Sequence, residues 1–213
     1  MNNNVLIKFS RTPEFKPKIF FDVGANVGQT ALEMAKLFPE TAIHSFEPVG
    51  ASFQALSEAT QDIALVSCHN LALGDAAGEV VMSAAGTSTA NSIRNLRPSA
   101  RTETVGVTTG DIFCQQNGID HIDLLKIDVE GYEPQTIAGF SRMLRERRVG
   151  YVQLECGVAP ENTYHIPLFV LVELMSKFNY GLFGLFDERR TMTGLGRRNG
   201  ILFCNAVFVL END

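Results

Sequence analysis

Lys18-Ile-Phe-Phe-Asp22-Val-Gly24-Ala-Asn26-Val-Gly28-Gln29-Thr30 sets the architecture of this chain. Ile19 to Val23 is a short apolar run rich in β-forming residues and reads as a strand. The Gly/Asn turn after it lets the backbone reverse tightly, and Thr30 to Phe38 continues at helical spacing up to Pro39, where a helix must have stopped. The alternation then repeats. Ala42 to Phe46 is a second strand ending in Glu47-Pro48, a helix is expected around Ser52 to Thr60, and a third strand around Ile63 to Leu73. Strand and helix in alternation imply a parallel sheet covered by helices.

The rhythm changes between Gly74 and Gly110. Glu79 to Met82 and Glu103 to Thr108 read as extended segments around a Ser/Thr/Asn-rich loop from Gly86 to Asn95, a β-rich insertion at about 76–110. Asp111 is the expected N-cap of a short helix through Gln116, which Gly118 ends. Leu124 to Val129 is the next strand, followed by a helix from Pro134 to about Arg148 and the strand Tyr151 to Glu155. Pro167 opens a helix with apolar residues at 168, 171, 172, 175 and 178, one continuous face. Two strands, roughly 180–186 and 201–210, close the chain as an antiparallel pair joined by an Arg/Gly loop. A single domain is expected.

In an open α/β sheet the ligand lies beyond the carboxyl ends of the strands, where the strand order reverses. The turn from Asp22 to Gly28 sits at such an end. A nicotinamide dinucleotide wants Gly-x-Gly-x-x-Gly, but counting from Gly24 this chain has Asn26 and Gln29 at the second and third glycine positions. Asp22 also repels a pyrophosphate and suits a ligand carrying an ammonium and a sulfonium, so charge favours S-adenosylmethionine. Glu47 ends the second strand 19 residues after Gly28, where a carboxylate can accept both hydroxyls of an adenosine ribose, and Pro48 fixes the strand end behind it.

Composition removes several other classes. The chain has 213 residues, 45% of them hydrophobic and 20% charged, enough apolar surface for one sizeable core. A net charge of −6 lacks the basic excess of a protein that neutralises many phosphates, so nucleic acid is not an expected partner. Arg142, Arg145, Arg147 and Arg148 beside Glu146 read as a solvated helix face. Cys68, Cys114, Cys156 and Cys204 stand far apart, with no CxxC pair, and are expected to be reduced, buried thiols. Met1-Asn-Asn-Asn4 carries no positive n-region leading into an apolar stretch, and no span is apolar enough for a membrane helix, so the cytoplasm is the expected compartment.

Four ordered motifs together resemble the FkbM-type methyltransferases. They are Asp22-Val-Gly-Ala-Asn-Val-Gly-Gln29, Phe46-Glu47-Pro48, Asn70-Leu-Ala-Leu-Gly-Asp75 and Leu125-Lys-Ile-Asp128-Val-Glu130-Gly131-Tyr-Glu133, within about residues 18–157. The resemblance implies a Rossmann-like class I methyltransferase fold, with a seven-stranded, mostly parallel sheet, an antiparallel last strand and helices on both faces. It also implies O-methylation of a hydroxyl on a sugar, glycan, polyketide or similar small molecule. By position, Asp22, Gly24, Asn26, Gly28, Gln29 and Thr30 would surround the methionine part, Glu47 and Pro48 the ribose, and Asn70, Ala72 and Asp75 the adenine. A role in the turn is equally open to Gly74-Asp75.

Methyl transfer from a sulfonium is an in-line displacement, and an alcohol acceptor must also shed a proton as it attacks. Asp128, at the end of the fourth strand and facing the same crevice, is the first candidate for that base and a further cofactor contact. Glu155 at the end of the next strand and His165 in the loop beyond are the candidates to assist or replace it. Neighbouring strands lie about 5 Å apart, so Asp128 and Glu155 are placed to share one proton or one divalent ion. No His/Asp cluster reinforces the ion, and a metal is not favoured. Glu130 is a further candidate for the lining, while Glu133 is expected to stabilise its own helix start. His44 and His69 read as structural and His121 as exposed. Ser88, Asn91 and Ser92 of the inserted loop are open to an acceptor. The rival readings are a nicotinamide oxidoreductase, a non-catalytic S-adenosylmethionine-binding module, and methylation of an amine or nucleobase, the last lacking the Pro-Pro-aromatic segment common at exocyclic nitrogens.

Overall fold

The computed structural model describes residues 4–84, 86–87, 101–192 and 198–211, with the main chain alone at 191–192 and 198–199. Ser88, Asn91 and Ser92 lie outside these residues. The strands are β1 (Ile19–Val23), β2 (Ala42–Phe46), β3 (Val66–His69), β4 (Ala72–Leu73), β5 (Gly78–Ser83), β6 (Thr102–Thr108), β7 (Ile122–Ile127), β8 (Val149–Gly157), β9 (Tyr180–Met192) and β10 (Arg198–Leu210). The helices are α1 (Val5–Ser10), α2 (Gln29–Leu37), α3 (Gly50–Thr60), α4 (Gly110–Asn117), α5 (Glu133–Gly139), α6 (Ser141–Arg145) and α7 (Leu168–Ser176).

Seven strands form one sheet in the order β3-β2-β1-β7-β8-β10-β9. Neighbours from β3 to β8 run parallel, and β10 runs antiparallel to both β8 and β9. The mostly parallel sheet with an antiparallel last strand is the one the sequence implied. From β1 the chain moves outward to β2 and β3, then returns to β7 on the other side of β1. The order therefore reverses between β1 and β7, and a crevice opens above their carboxyl ends.

Because β1 and β7 are covered on both faces, their side chains alternate between two apolar layers. Phe21, Val23, Leu125, Ile127, Val152 and Leu154 pack toward α4, α5, α6 and α7. Phe20, Ile43, Leu124 and Val207 pack toward α1 and α2. Helix α1 is an element the sequence reading passed over, since six residues are too few to show a period. Asn4 caps it by accepting from Ile7 N at 3.1 Å, and Val5, Leu6 and Phe9 are buried.

Four local expectations are corrected. The third strand does not continue to Leu73: it ends at His69, because the Asn70 amide donates to the carbonyls of Glu47 and Pro48 at 3.0 and 2.8 Å and turns the chain out of the sheet. Ala72 and Leu73 instead join the insertion, whose strands form a separate sheet in the order β4-β6-β5. Thr109, not Asp111, caps α4, accepting from Ile112 N at 3.1 Å. Asp111 caps another helix: its carboxylate accepts from Arg142 N and Met143 N at 2.8 and 3.0 Å and starts α6. The helix expected from Pro134 to Arg148 is thus two helices broken at Phe140, beside Gly139, where a Cβ would stand 2.0 Å from the Gly74 carbonyl oxygen. Strand β8 runs two residues past Glu155, which lies inside the strand.

Among the described residues, no helix is long and apolar enough to cross a membrane. All four cysteines are free, three buried and Cys68 half-buried.

Candidate active site

A cavity of about 330 Å³ occupies the crevice at the reversal of strand order. Its floor is the turn between β1 and α2. Gly24, Asn26 and Gly28 all take left-handed φ values, of 80°, 49° and 93°. Glycine adopts that region freely, and asparagine is the side-chain-bearing residue that tolerates it best. Gly24 N and Ala25 N both donate to the Phe46 carbonyl at 3.0 Å, tying the turn to the end of β2. Gly24 is also pressed against the β7 end: a Cβ there would lie 1.9 Å from the Asp128 carbonyl oxygen.

Glu47 is buried beside this turn. Its two carboxylate oxygens accept from Asn26 N and Val49 N, each at 2.9 Å. Burial pushes its carboxyl up to about 7, against the pull of those two donors. Each oxygen keeps a second acceptor position, so a ribose diol can still be received.

The structure brings Gly24, Asn26, Gln29, Thr30, Glu47, Pro48, Ala72 and Asp128 together in the cavity wall. Other expected residues stand behind it. Asp22 is fully buried, its Oδ1 bound to Lys126 Nζ at 3.1 Å, so its carboxylate supports the site through that lysine. Gly28 holds the N-cap of α2. Asn70 spends its amide on the chain turn described above, and Asp75 is exposed, 3.5 Å from the Tyr132 hydroxyl. Glu155 and His165 lie one strand beyond the cavity lining.

Several lining residues were not anticipated. Leu71, Leu73, Met82, Val129 and Tyr132 also line the cavity, most of them apolar. Lys126 lies beneath, bridging Asp22 and Asp128 at 3.1 and 3.3 Å. Burial works against its ammonium, but the two carboxylates outweigh burial and raise its pKa. A lysine inside a strand covered on both faces was itself a signal, since a buried charge has to be paired.

Beyond Asp128, the β7–α5 loop places Glu130 in the lining with a left-handed φ of 55°. Glu133 does more than favour its own helix dipole: its Oε1 accepts from Val129 N and Gly131 N at 3.3 and 3.1 Å, clamping the backbone on both sides of Glu130. His165 Nε2 lies 3.0 Å from Glu155 Oε2, and its Nδ1 lies 2.9 Å from Asn162 Nδ2. Phe203 stacks on the imidazole. Glu130, Glu155 and His165 each bring a polar atom within 4.8 Å of the others. A histidine therefore does reinforce the carboxylates, contrary to expectation, but its Nε2 is spent on Glu155. Burial, then Asp128 and Glu155, push Glu130 up to about 8. For His165, burial favours the neutral ring, yet Glu155 and then Glu130 overcome it and raise the pKa.

His44 and His69 stack at 5.4 Å against the aromatic core, and burial lowers both pKa values, His69 to about 4. They are uncharged packing groups. His121 is exposed and pairs with Asp123 at 3.5 Å.

The wall fits a cationic nucleoside better than a dinucleotide. Glu47, Asp128 and Glu130 present carboxylates, and the one lysine among the lining residues is committed to two aspartates. Asn26 Oδ1, buried in the wall, has no partner among the described residues and can accept from an ammonium.

A search of curated protein sequences finds no match to the chain. Among solved structures, the chain is similar to a methyltransferase FkbM from Methylobacillus flagellatus KT, with a TM-score of 0.58 and 16% identity over 94% of this chain and 47% of that one. It therefore spans about half the length of that protein. Precorrin-6y C5,15-methyltransferase from Geobacter metallireducens GS-15 superposes with a TM-score of 0.54 at 12% identity, over 98% of this chain and 88% of that one. Magnesium protoporphyrin IX methyltransferase from Synechocystis PCC 6803, solved with bound S-adenosylmethionine, gives 0.54 at 9% identity, over 97% and 76%. At these identities the likeness shows the fold alone, that of the class I methyltransferases. The family model for the methyltransferase FkbM domain matches residues 22–182, most of the chain and every motif from Asp22 to Glu133. The chain belongs to the FkbM methyltransferase family.

Proposed function

We propose that the chain is an S-adenosylmethionine-dependent methyltransferase acting on a hydroxyl of a sugar, glycan, polyketide or other small molecule. The observation that carries this reading is the make-up of the cavity wall. Leu71, Leu73 and Met82 supply apolar surface suited to adenine, Glu47 suits the ribose, and Asp128 and Glu130 add carboxylates. In our reading the methionine part lies across Gly24 to Thr30, with the sulfonium beside those carboxylates. Bound there, S-adenosylmethionine supplies the electrophilic methyl.

The chain's own residues would do the rest. The β1–α2 turn fixes the donor, which aligns methyl and acceptor for in-line attack. The carboxylates at the β7 and β8 ends take the proton that a hydroxyl releases. Asp128, Glu155 and His165 remain our candidate residues for this work, with Asp128 paired to Lys126 and Glu155 oriented by His165. A metal is not favoured for these steps. A dinucleotide would set its pyrophosphate against the same carboxylates, which disfavours an oxidoreductase. A net charge of −6 disfavours nucleic acid as acceptor, and the free cysteines suit a cytoplasmic setting.

Calorimetry with S-adenosylmethionine and NAD, followed by incubation with methyl-labelled S-adenosylmethionine and pooled hydroxyl and amine acceptors, tests the reading. Binding of S-adenosylmethionine alone and label in a hydroxyl product are expected. Binding of NAD alone would sink it. Label confined to amines would move the acceptor class, and binding without label in any pool would favour a non-catalytic module.

A further inference from the structure

Four groups compete for the acceptor's proton, Asp128, Glu130, Glu155 and His165, and each has a polar neighbour. Asp128 Oδ2 lies 3.3 Å from the Lys126 ammonium, which also holds Asp22. His165 has a polar partner at each ring nitrogen, Glu155 Oε2 at 3.0 Å and Asn162 Nδ2 at 2.9 Å. Asn162 is fixed in turn: its Oδ1 accepts from Tyr164 N and His165 N at 3.1 and 3.2 Å, and its amide donates to the Leu202 carbonyl at 3.1 Å. The imidazole is thus a strut that orients Glu155.

Glu130 lines the cavity, as Glu155 and His165 do not, and its carboxylate has Tyr164 as a hydrogen-bonding neighbour. Its left-handed backbone is a strained conformation for a glutamate, and the Glu133 clamp at Val129 N and Gly131 N maintains it. Behind it stand Glu155 and His165, with polar atoms of all three within 4.8 Å. Strain, a dedicated clamp and a polar backing converge on one side chain at the cavity wall.

We propose that Glu130 faces the methyl being transferred and takes the proton of the acceptor hydroxyl, with Glu155 and His165 as positioning residues behind it. This rests on the cofactor reading above. In the step, the acceptor oxygen forms its bond to the methyl carbon as the carbon–sulfur bond breaks. The electron pair of that bond stays on sulfur, which becomes a neutral thioether, and the hydroxyl proton moves to a Glu130 carboxylate oxygen. Burial, Asp128 and Glu155, which raise the Glu130 pKa to about 8, also make it a stronger base than an ordinary carboxylate.

The test needs no acceptor. Sinefungin is an analogue of S-adenosylmethionine with a primary amine on the carbon that replaces sulfur, so its ammonium stands where the methyl would be. S-adenosylhomocysteine has nothing there. By calorimetry at pH 8, the wild-type chain should bind sinefungin at least about tenfold more tightly than S-adenosylhomocysteine, as expected of one charge-assisted hydrogen bond. Glu130→Gln should abolish that preference while leaving S-adenosylhomocysteine affinity within about threefold. Glu130→Ala gives the same readout if the amide variant folds poorly.

A preference that survives in both variants overturns the proposal, as does one lost in Asp128→Asn instead. Equal loss of both ligands would make Glu130 part of the cofactor cradle and overturn it too. So would a preference that appears only with added magnesium and disappears with EDTA. Failure of the wild type to bind either ligand is a separate outcome, which overturns the cofactor reading itself.

Discussion

Lys126→Met removes the one cation that neutralises Asp22. In the wild-type chain Lys126 Nζ stands 3.1 Å from Asp22 Oδ1 and 3.3 Å from Asp128 Oδ2, and Asp22 is fully buried between β2 and β7. Its Oδ2 has no partner among the described residues, so the loss of Lys126 leaves the carboxylate without compensation. Breaking a buried pair from one side costs about 3–5 kcal/mol. With a urea m-value of about 2 kcal/mol/M, the unfolding midpoint at pH 7 should fall by roughly 1.5–2.5 M.

The loss should depend on pH. Without Lys126, the folded-state pKa of Asp22 rises further above its ordinary value of 3.8, because burial is already the largest influence on it. An acid with a raised folded pKa weakens the fold above that pKa, and the penalty fades as pH falls toward the unfolded value. The midpoint difference between wild type and Lys126→Met should therefore shrink between pH 7 and pH 4. Adding Asp22→Asn should restore at least half of the lost stability, since no charge is then stranded. A midpoint loss under about 0.5 M, or no recovery in the double variant, would refute the buried charge bridge as a determinant of the fold.

Two further outcomes follow from the cofactor turn. Gly24→Ala places a methyl group 1.9 Å from the Asp128 carbonyl oxygen at φ 80°, so β1 and β7 must separate at the floor of the site. Calorimetry should detect no S-adenosylhomocysteine binding, and thermal unfolding should show at least the roughly 1–2 kcal/mol cost of a left-handed alanine. Glu47, held up to about 7, should accept ribose hydroxyls best when ionised. Affinity should then be highest above pH 7 and weaken by up to about tenfold per unit below it, and Glu47→Gln should flatten this dependence. A flat wild-type profile between pH 6 and pH 8 would remove Glu47 from the ribose.

What the sequence revealed and what it hid divide along physical lines. The β1 strand, its turn, Glu47 and Asp128 were legible because they are local: apolar runs, glycines and residues at strand ends announce themselves within a few positions. Helix α1 was too short for its period to register. The Asp111 cap was misread because Asp111 serves a helix 30 residues further on, a contact with no local signature. Asp22 was expected around the ligand, but its pairing with Lys126 across two strands keeps its carboxylate behind the wall. Glu130 was seen as a lining residue. Its strain and its clamp depend on backbone geometry that spacing does not encode, and the imidazole that looked like a base is occupied at both nitrogens.

A crystal structure of the chain with S-adenosylhomocysteine bound would examine the whole site at once. We expect adenine between Leu71, Leu73 and Met82, both ribose hydroxyls on Glu47, and the sulfur's open side directed at Glu130. A ligand bound elsewhere, or one in this cavity with its adenine at Asp128 and its sulfur at Met82, would contradict the account.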